Sequence, residues 1–255
     1  MEHRGKAVLL DAGASGGFAD NAAAMGVDLG HVDVAVLSHG HYDHAGGPGA
    51  LLCLQRPREG VRPPVCRRGL FLHSLGEPRF IGVSRDVWEG QRERFETPEG
   101  LFQLFDGAWL VPETVHGGPF ASRETNLLRQ EAAGGFVPDD FSHEHSLVLE
   151  GSRGLVLFNS CSHGGIVNIV RGVKEQLGRP VYAVFGGLHL FSAKAASGMN
   201  CTPEYALSVA DALVSEGVEQ IYTGHCTGQA ALALLQDRLG ERIQALTTGL
   251  CVTLE

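Results

Sequence analysis

The run Ser38-His39-Gly40-His41-Tyr42-Asp43-His44 places three histidines and an aspartate within six positions. Neutral imidazole and carboxylate are donors for zinc, iron or manganese. Side chains at i and i+2 of an extended segment share a face, so His39 and His41 can grip one ion. Asp43 and His44 lie beyond them and can grip a second. The run follows an apolar segment, Val32 to Leu37, and precedes Gly46-Gly47. That is the layout of a strand ending in a loop packed with metal ligands. A merely solvated polar loop has no reason to hold this order of donors.

Other histidines recur at strand ends. His163 follows an apolar run in Asn159-Ser160-Cys161-Ser162-His163-Gly164-Gly165, and His189 follows another in Gly186-Gly187-Leu188-His189. His225 follows a third in Thr223-Gly224-His225-Cys226. Ligands gather at such exits in layered α/β folds, so these segments are expected to converge on one rim. His163 and His225 read as ligands. His189 could ligate, contact substrate or satisfy a local hydrogen bond. Glu144 and His145, at the start of a strand, are further candidates. Cys161 could ligate as thiolate, although a small buried residue is its simpler role. His3, His31, His73 and His116 read as ordinary histidines.

The elements that must carry these residues are partly legible. Strands are expected at Lys6 to Leu10, Val32 to Leu37, Val83 to Trp88, Trp109 to Val111, Val181 to Phe185, Gln220 to Thr223 and Ala245 to Leu254. Residues 146–150 and 155–159 read as a hairpin about Gly151-Ser152-Arg153-Gly154. Helices are expected within Ser15 to Met25, capped by Asp20 or Asn21, and at Pro48 to Leu54, Gly165 to Leu177, Pro203 to Glu216 and Gln229 to Leu239. Glu113 to Gly135 reads as one long loop. Strands come first, then helix and strand alternate, which suggests a layered α/β domain with a mixed sheet.

Composition narrows the function classes. The 255 residues carry a net charge of -9, with 44% apolar and 19% charged residues, which is ordinary globular usage. No basic block stands out, so a nucleic-acid partner is not expected. Arg56, Arg58, Arg62, Arg67 and Arg68 cluster in one Pro-rich stretch that reads as a solvated loop. The six cysteines form no CxxC pair, which favours reduced thiols. There is no signal peptide and no apolar span of membrane length, so a cytoplasmic protein is expected, with no membrane partner and an open oligomeric state.

These motifs together resemble the metallo-β-lactamase superfamily, and the resemblance covers nearly the whole chain. His39-Gly40-His41-Tyr42-Asp43-His44 resembles its hallmark loop. Cys161-Ser162-His163-Gly164-Gly165, Gly186-Gly187-Leu188-His189-Leu190 and Thr223-Gly224-His225-Cys226-Thr227-Gly228 look closest to the branch of dihydropterin ribofuranosyl-aminobenzene phosphate synthase-like metallohydrolases. The resemblance implies one four-layer αβ/βα sandwich over residues 1–255, with the first N-terminal strand missing or shortened and substrate specificity in the irregular stretch 55–140. It implies two divalent ions, zinc ahead of iron or manganese. His39, His41 and His163 would hold the first, with His145 the rival third ligand; Asp43, His44 and His225 would hold the second. Asp11 looks like the acidic residue that supports the loop from behind. One departure stands out: where most members carry a bridging aspartate, this chain has Ser160-Cys161-Ser162.

The implied chemistry is hydrolysis or transfer at a phosphate or cyclic ester of a small anionic molecule, such as a pterin or phosphoribosyl compound, by a metal-activated hydroxide. Asp43 would orient that hydroxide, and His189 would bind a phosphate oxygen or protonate the leaving group. Two alternatives are a di-iron redox enzyme and a ligand-binding protein with a degenerate metal site.

Overall fold

In the computed structural model, residues 1–47, 70–73, 78–90, 93, 95–131 and 134–254 are described. The expected helix at Pro48 to Leu54, the arginine cluster and Cys53 and Cys66 lie outside them. The chain forms two compact units, Met1–Gly100 with Glu124–His143, and Leu101–Arg123 with Glu144–Glu255.

In the first unit, β1 (Glu2–His3) pairs antiparallel with β2 (Lys6–Leu10), which pairs parallel with β3 (Val34–Val36). All three residues of β3 are buried, as a continuous apolar run predicts. The helix Gly17–Ala24 connects β2 to β3, and Ala22 packs with Leu29, Val32 and Ala35. Its N-cap is Gly16, and Asp20 lies in its first turn, so neither Asp20 nor Asn21 caps it. Because β2 and β3 run parallel, both end at the same edge. Asp11 leaves one strand there, and Ser38 leaves just beyond the other.

A second sheet in this unit orders β5 (Pro78–Phe80), β4 (Leu70–His73), β8 (Leu127–Gln130) and β9 (Phe136–Pro138), all antiparallel. It corrects the reading of Glu113 to Gly135 as one loop. The expected strand Val83 to Trp88 is instead a helix, Arg85–Gly90. Asp86 lies in its first turn and Trp88 N–H donates to the Ser84 carbonyl at 2.9 Å, so polar helix-start signals outweigh the valines.

The second unit is built on a seven-stranded mixed sheet, ordered β14-β13-β12-β11-β10-β7-β6. Its strands are β6 (Phe102–Phe105), β7 (Ala108–Pro112), β10 (His145–Glu150), β11 (Leu155–Phe158), β12 (Val181–Phe185), β13 (Gln220–Thr223) and β14 (Ile243–Ala245). β10 and β11 form the expected hairpin, and β11 to β14 run parallel. The last strand, Ile243–Ala245, ends where the expected one, Ala245 to Leu254, begins. Gly249 at φ 83° and a Leu250 N–H to Thr247 carbonyl bond turn the chain after it.

Three helices join the parallel strands: Ile166–Leu177, Pro203–Ser215 and Gln229–Leu239. The first buries Ile166, Ile169, Val170 and Val173, the stripe its periodicity predicts. Thr202 caps the second by accepting the Tyr205 N–H at 3.3 Å. Because these strands run parallel, the carboxyl ends of β11, β12 and β13 lie on one edge. Among the described residues, no helix is long and apolar enough to cross a membrane.

Candidate functional site

The first unit's donors lie where β2 and β3 end. Asp11 sits at φ 60°, a conformation that costs a non-glycine residue energy and recurs at functional sites. Its Oδ1 accepts the Ser38 N–H at 2.7 Å, and its Oδ2 accepts the Ser38 hydroxyl at 2.8 Å. The same Oδ2 lies 2.8 Å from His44 Nδ1. A carboxylate oxygen only accepts, so His44 carries its proton on Nδ1 and its lone pair on Nε2. The Ser38 hydroxyl, committed as donor to Asp11, meets His39 Nδ1 at 2.8 Å, which fixes His39 in the same tautomer.

One carboxylate therefore aims two imidazoles. The rings of His39 and His44 lie 4.4 Å apart, and those of His39 and His41 4.7 Å. His41 precedes the short helix Tyr42–Ala45, which carries Asp43 in its first turn. Asp43 Oδ2 is 3.6 Å from His44 Nε2, and its side chain is 40% exposed. Close packing holds this loop down. A Cβ on Gly46 would overlap the Ala14 carbonyl, and Gly46 N–H donates to the Gly13 carbonyl at 2.9 Å.

Two residues overlooked in the sequence complete this half. His143 Nε2 meets Asp139 Oδ2 at 3.0 Å, and the Gly40 N–H approaches His143 Nδ1 at 3.4 Å. Atoms of His41, Asp139 and His143 lie within 4.8 Å of one another, close enough to hold an ion. Yet both His143 nitrogens already serve hydrogen bonds, and Asp139 Oδ1 accepts the Phe141 N–H. This trio reads better as a strut under Gly40. Its only sequence signal is the Asp139 to His143 spacing of four.

The second unit contributes one turn per strand exit. After β11, Asn159 Oδ1 accepts the Ser162 N–H at 2.6 Å. Glu144, 1% exposed, accepts the N–H groups of His163 at 3.0 Å and Gly164 at 2.9 Å. Both Glu144 oxygens thus position the His163 turn. His145 opens β10 opposite Pro112 and is buried there. His189 and His225 both sit at φ 50° at the exits of β12 and β13, and Ser162 at φ 55°. The rings of His163 and His189 are 4.3 Å apart; His225 is exposed in a short 3-10 turn.

Buried Cys161 offers its carbonyl to the Cys226 thiol at 3.5 Å. Hydrogen bonding with Cys161, then His189 and the charge of His225, hold the Cys226 thiol well below its usual range against the opposing effect of burial. Glu113 carries the opposite shift. Burial first, and then the charge of Glu144, push its carboxyl up to about 8. Both Glu113 oxygens are buried, and a Cβ on Gly164 would collide with them. Nothing in the sequence around Glu113 announces this, because desolvation is a property of the fold.

A family model described as the Metallo-beta-lactamase superfamily matches residues 1–164. The chain belongs to this superfamily. The 7,8-dihydropterin-6-methyl-4-(beta-D-ribofuranosyl)-aminobenzene-5'-phosphate synthase of Methanocaldococcus jannaschii is 28% identical to it, over 90% of this chain and 78% of the relative. The solved structure of Tm1679, a metal-dependent hydrolase of the beta-lactamase superfamily, superposes with a TM-score of 0.78 at 24% identity, covering 97% of this chain and 89% of the other. A diphosphatase from the PhnP family gives 0.57 at 18% identity, covering 100% and 82%. The metallo-β-lactamase fold expected from the sequence is the fold found, and the branch resemblance is borne out by the synthase relative.

The donors suit a divalent metal. Imidazoles pinned at Nδ1 by a hydrogen-bonded network, with a carboxylate alongside, are the supported N/O set that zinc-type ions take.

Proposed function

We propose that this metallo-β-lactamase member, read as one domain over residues 1–255, is a binuclear metal-dependent hydrolase or transferase acting on a phosphate or cyclic ester. The observation that carries the reading is the Asp11–Ser38 network, which orients His39 and His44 with Nε2 as the coordinating atom. Such a network is costly to build for a loop with no ion to bind. His39, His41 and His163 would hold one ion, and Asp43, His44 and His225 the other. Ser160-Cys161-Ser162 occupies the region where the resemblance implies a bridging carboxylate. Zinc fits the mixed nitrogen and oxygen donors, ahead of iron or manganese.

Bound divalent ions would supply a Lewis acid for the ester and an acidified water. The chain's own groups supply the rest. Asp11 and Ser38 keep two ligands in one tautomer, so no proton must leave those nitrogens on metal binding. Glu144 fixes the His163 turn. Asp43, partly exposed, would take a proton from the attacking water at its carboxylate. His189, held 4.3 Å from the His163 ring, would carry a proton to the leaving oxygen. The synthase relative's name, with its dihydropterin and ribofuranosyl phosphate, supports a pterin or phosphoribosyl compound as substrate.

The test is turnover of bis(4-nitrophenyl) phosphate by protein loaded in turn with zinc, manganese and iron. Hydrolysis that disappears with chelation and in H189A supports the reading. No turnover with any of the three would sink it.

A further inference from the structure

A small pocket in the second unit is lined by His163 and His189 and also by Phe120, Arg123 and Tyr205. Its enclosed space is about 20 Å³, room for a single water-sized group, so a substrate must lie across the mouth. The floor is apolar, with Ile166, Leu188 and Val209. Exposed Arg123 places its guanidinium carbon over the Tyr205 ring, 4.5 Å from its centroid. Among the described residues, no carboxylate pairs with it.

A second stack nearby makes the contrast. Arg171 lies 5.6 Å over the Phe120 ring, but its Nε donates to Glu216 at 2.7 Å. That cation is compensated and serves the fold. Arg123 is held in place by an aromatic face while the N–H edge of its guanidinium remains available. A guanidinium on a ring is pre-organised to take an oxyanion through two parallel hydrogen bonds. Phe120 and Tyr205 line the same pocket as Arg123, both partly buried, with ring centroids 6.4 Å apart, and such rings attract a flat aromatic group.

We infer that Arg123, with Tyr205 and Phe120, forms a specificity subsite for a substrate whose aromatic ring carries an oxyanion, phosphate or carboxylate, remote from the ester that reacts. The inference rests on the hydrolase reading for its kinetic test and stands apart from it in a binding test.

The kinetic test compares three diesters that share a 4-nitrophenol leaving group. Their other ring is 4-nitrophenyl, 4-carboxyphenyl or 4-phosphophenyl. Metal-loaded wild type is expected to favour a charged ring at least tenfold in kcat/KM, and the larger preference identifies carboxylate or phosphate as the recognised group. R123M should erase that preference, and R123K should restore part of it. A wild type without preference, or an R123M protein that retains it, overturns the subsite.

If wild type hydrolyses none of the three, the hydrolase reading fails while the subsite is still judged by calorimetry. Metal-loaded wild type should bind 4-carboxyphenyl phosphate or 1,4-phenylene bisphosphate at least tenfold more tightly than phenyl phosphate. R123M should bind each pair equally. Equal affinities in wild type overturn the proposal. Circular dichroism melts of R123M check that the exposed substitution leaves the fold intact.

Discussion

The histidine loop of the first unit and the strand exits of the second present metal-type donors by different means. The loop puts His39, His41, Asp43 and His44 on one continuous segment, and one carboxylate, Asp11, orients two of its rings. The exits contribute single residues, His163, His189 and His225, each fixed by its own local device. Glu144 holds the first through two backbone N–H groups, and left-handed backbone holds the other two. A loop of this kind concentrates function in few residues and fails when its one support is removed. Dispersed exits tie each donor to the sheet, so their supports are also supports of the fold.

That contrast predicts the largest stability loss in the second unit. E144A leaves one buried and one partly buried N–H group without their charged acceptor and should destabilise the protein by about 2–4 kcal/mol. Urea unfolding measures it, and a loss under 1 kcal/mol would show that the His163 turn holds itself. In the first unit the corresponding change should spare the fold and strike the metal. D11N is expected to weaken metal binding about 10- to 100-fold, read by competition with a chromophoric chelator. Wild-type affinity in D11N would remove the loop's claimed dependence on one carboxylate.

A subtler difference lies in Glu113. Its folded-state value of about 8 exceeds its ordinary 4.5. Between those values the folded protein holds a proton that the unfolded chain has lost. Stability should therefore fall as pH rises from about 4.5 to 8, by at most about 1.4 kcal/mol per pH unit. E113Q keeps the shape against Gly164 and should flatten that slope in metal-free protein. Denaturant midpoints at pH 6 and pH 8 give the answer, and an unchanged slope would contradict the assignment. The smallest effect is expected from S38A. It breaks the hydroxyl link between Asp11 and His39 but leaves His44 oriented, so metal affinity should drop only a few-fold, about 1 kcal/mol.

The same contrast explains what the sequence disclosed. Donors packed into one loop, or placed after apolar runs beside glycines, could be read directly, and so could the helix Ile166–Leu177 with its regular stripe. In the stretch 55–140 the strand at Trp109 to Val111 could be, as β7, but the other described strands are only three or four residues long and carry little periodicity. Val83 to Trp88 misled for a related reason, since two valines and a tryptophan drew attention from Ser84 and Asp86. Asp139, His143, Glu113 and Arg123 escaped notice because their roles come from neighbours distant in sequence. A carboxyl desolvated by folding, or a guanidinium laid on a ring, leaves no local trace.

The central proposal is that the His39–His44 loop, with His163 and His225, would hold two divalent ions. Elemental analysis of dialysed, zinc-loaded protein tests it most directly, with H44A and H225A beside the wild type. The account predicts about two ions per chain in wild type and about one in each variant. Wild-type protein that retains none after dialysis, or variants that retain as much as wild type, would contradict it.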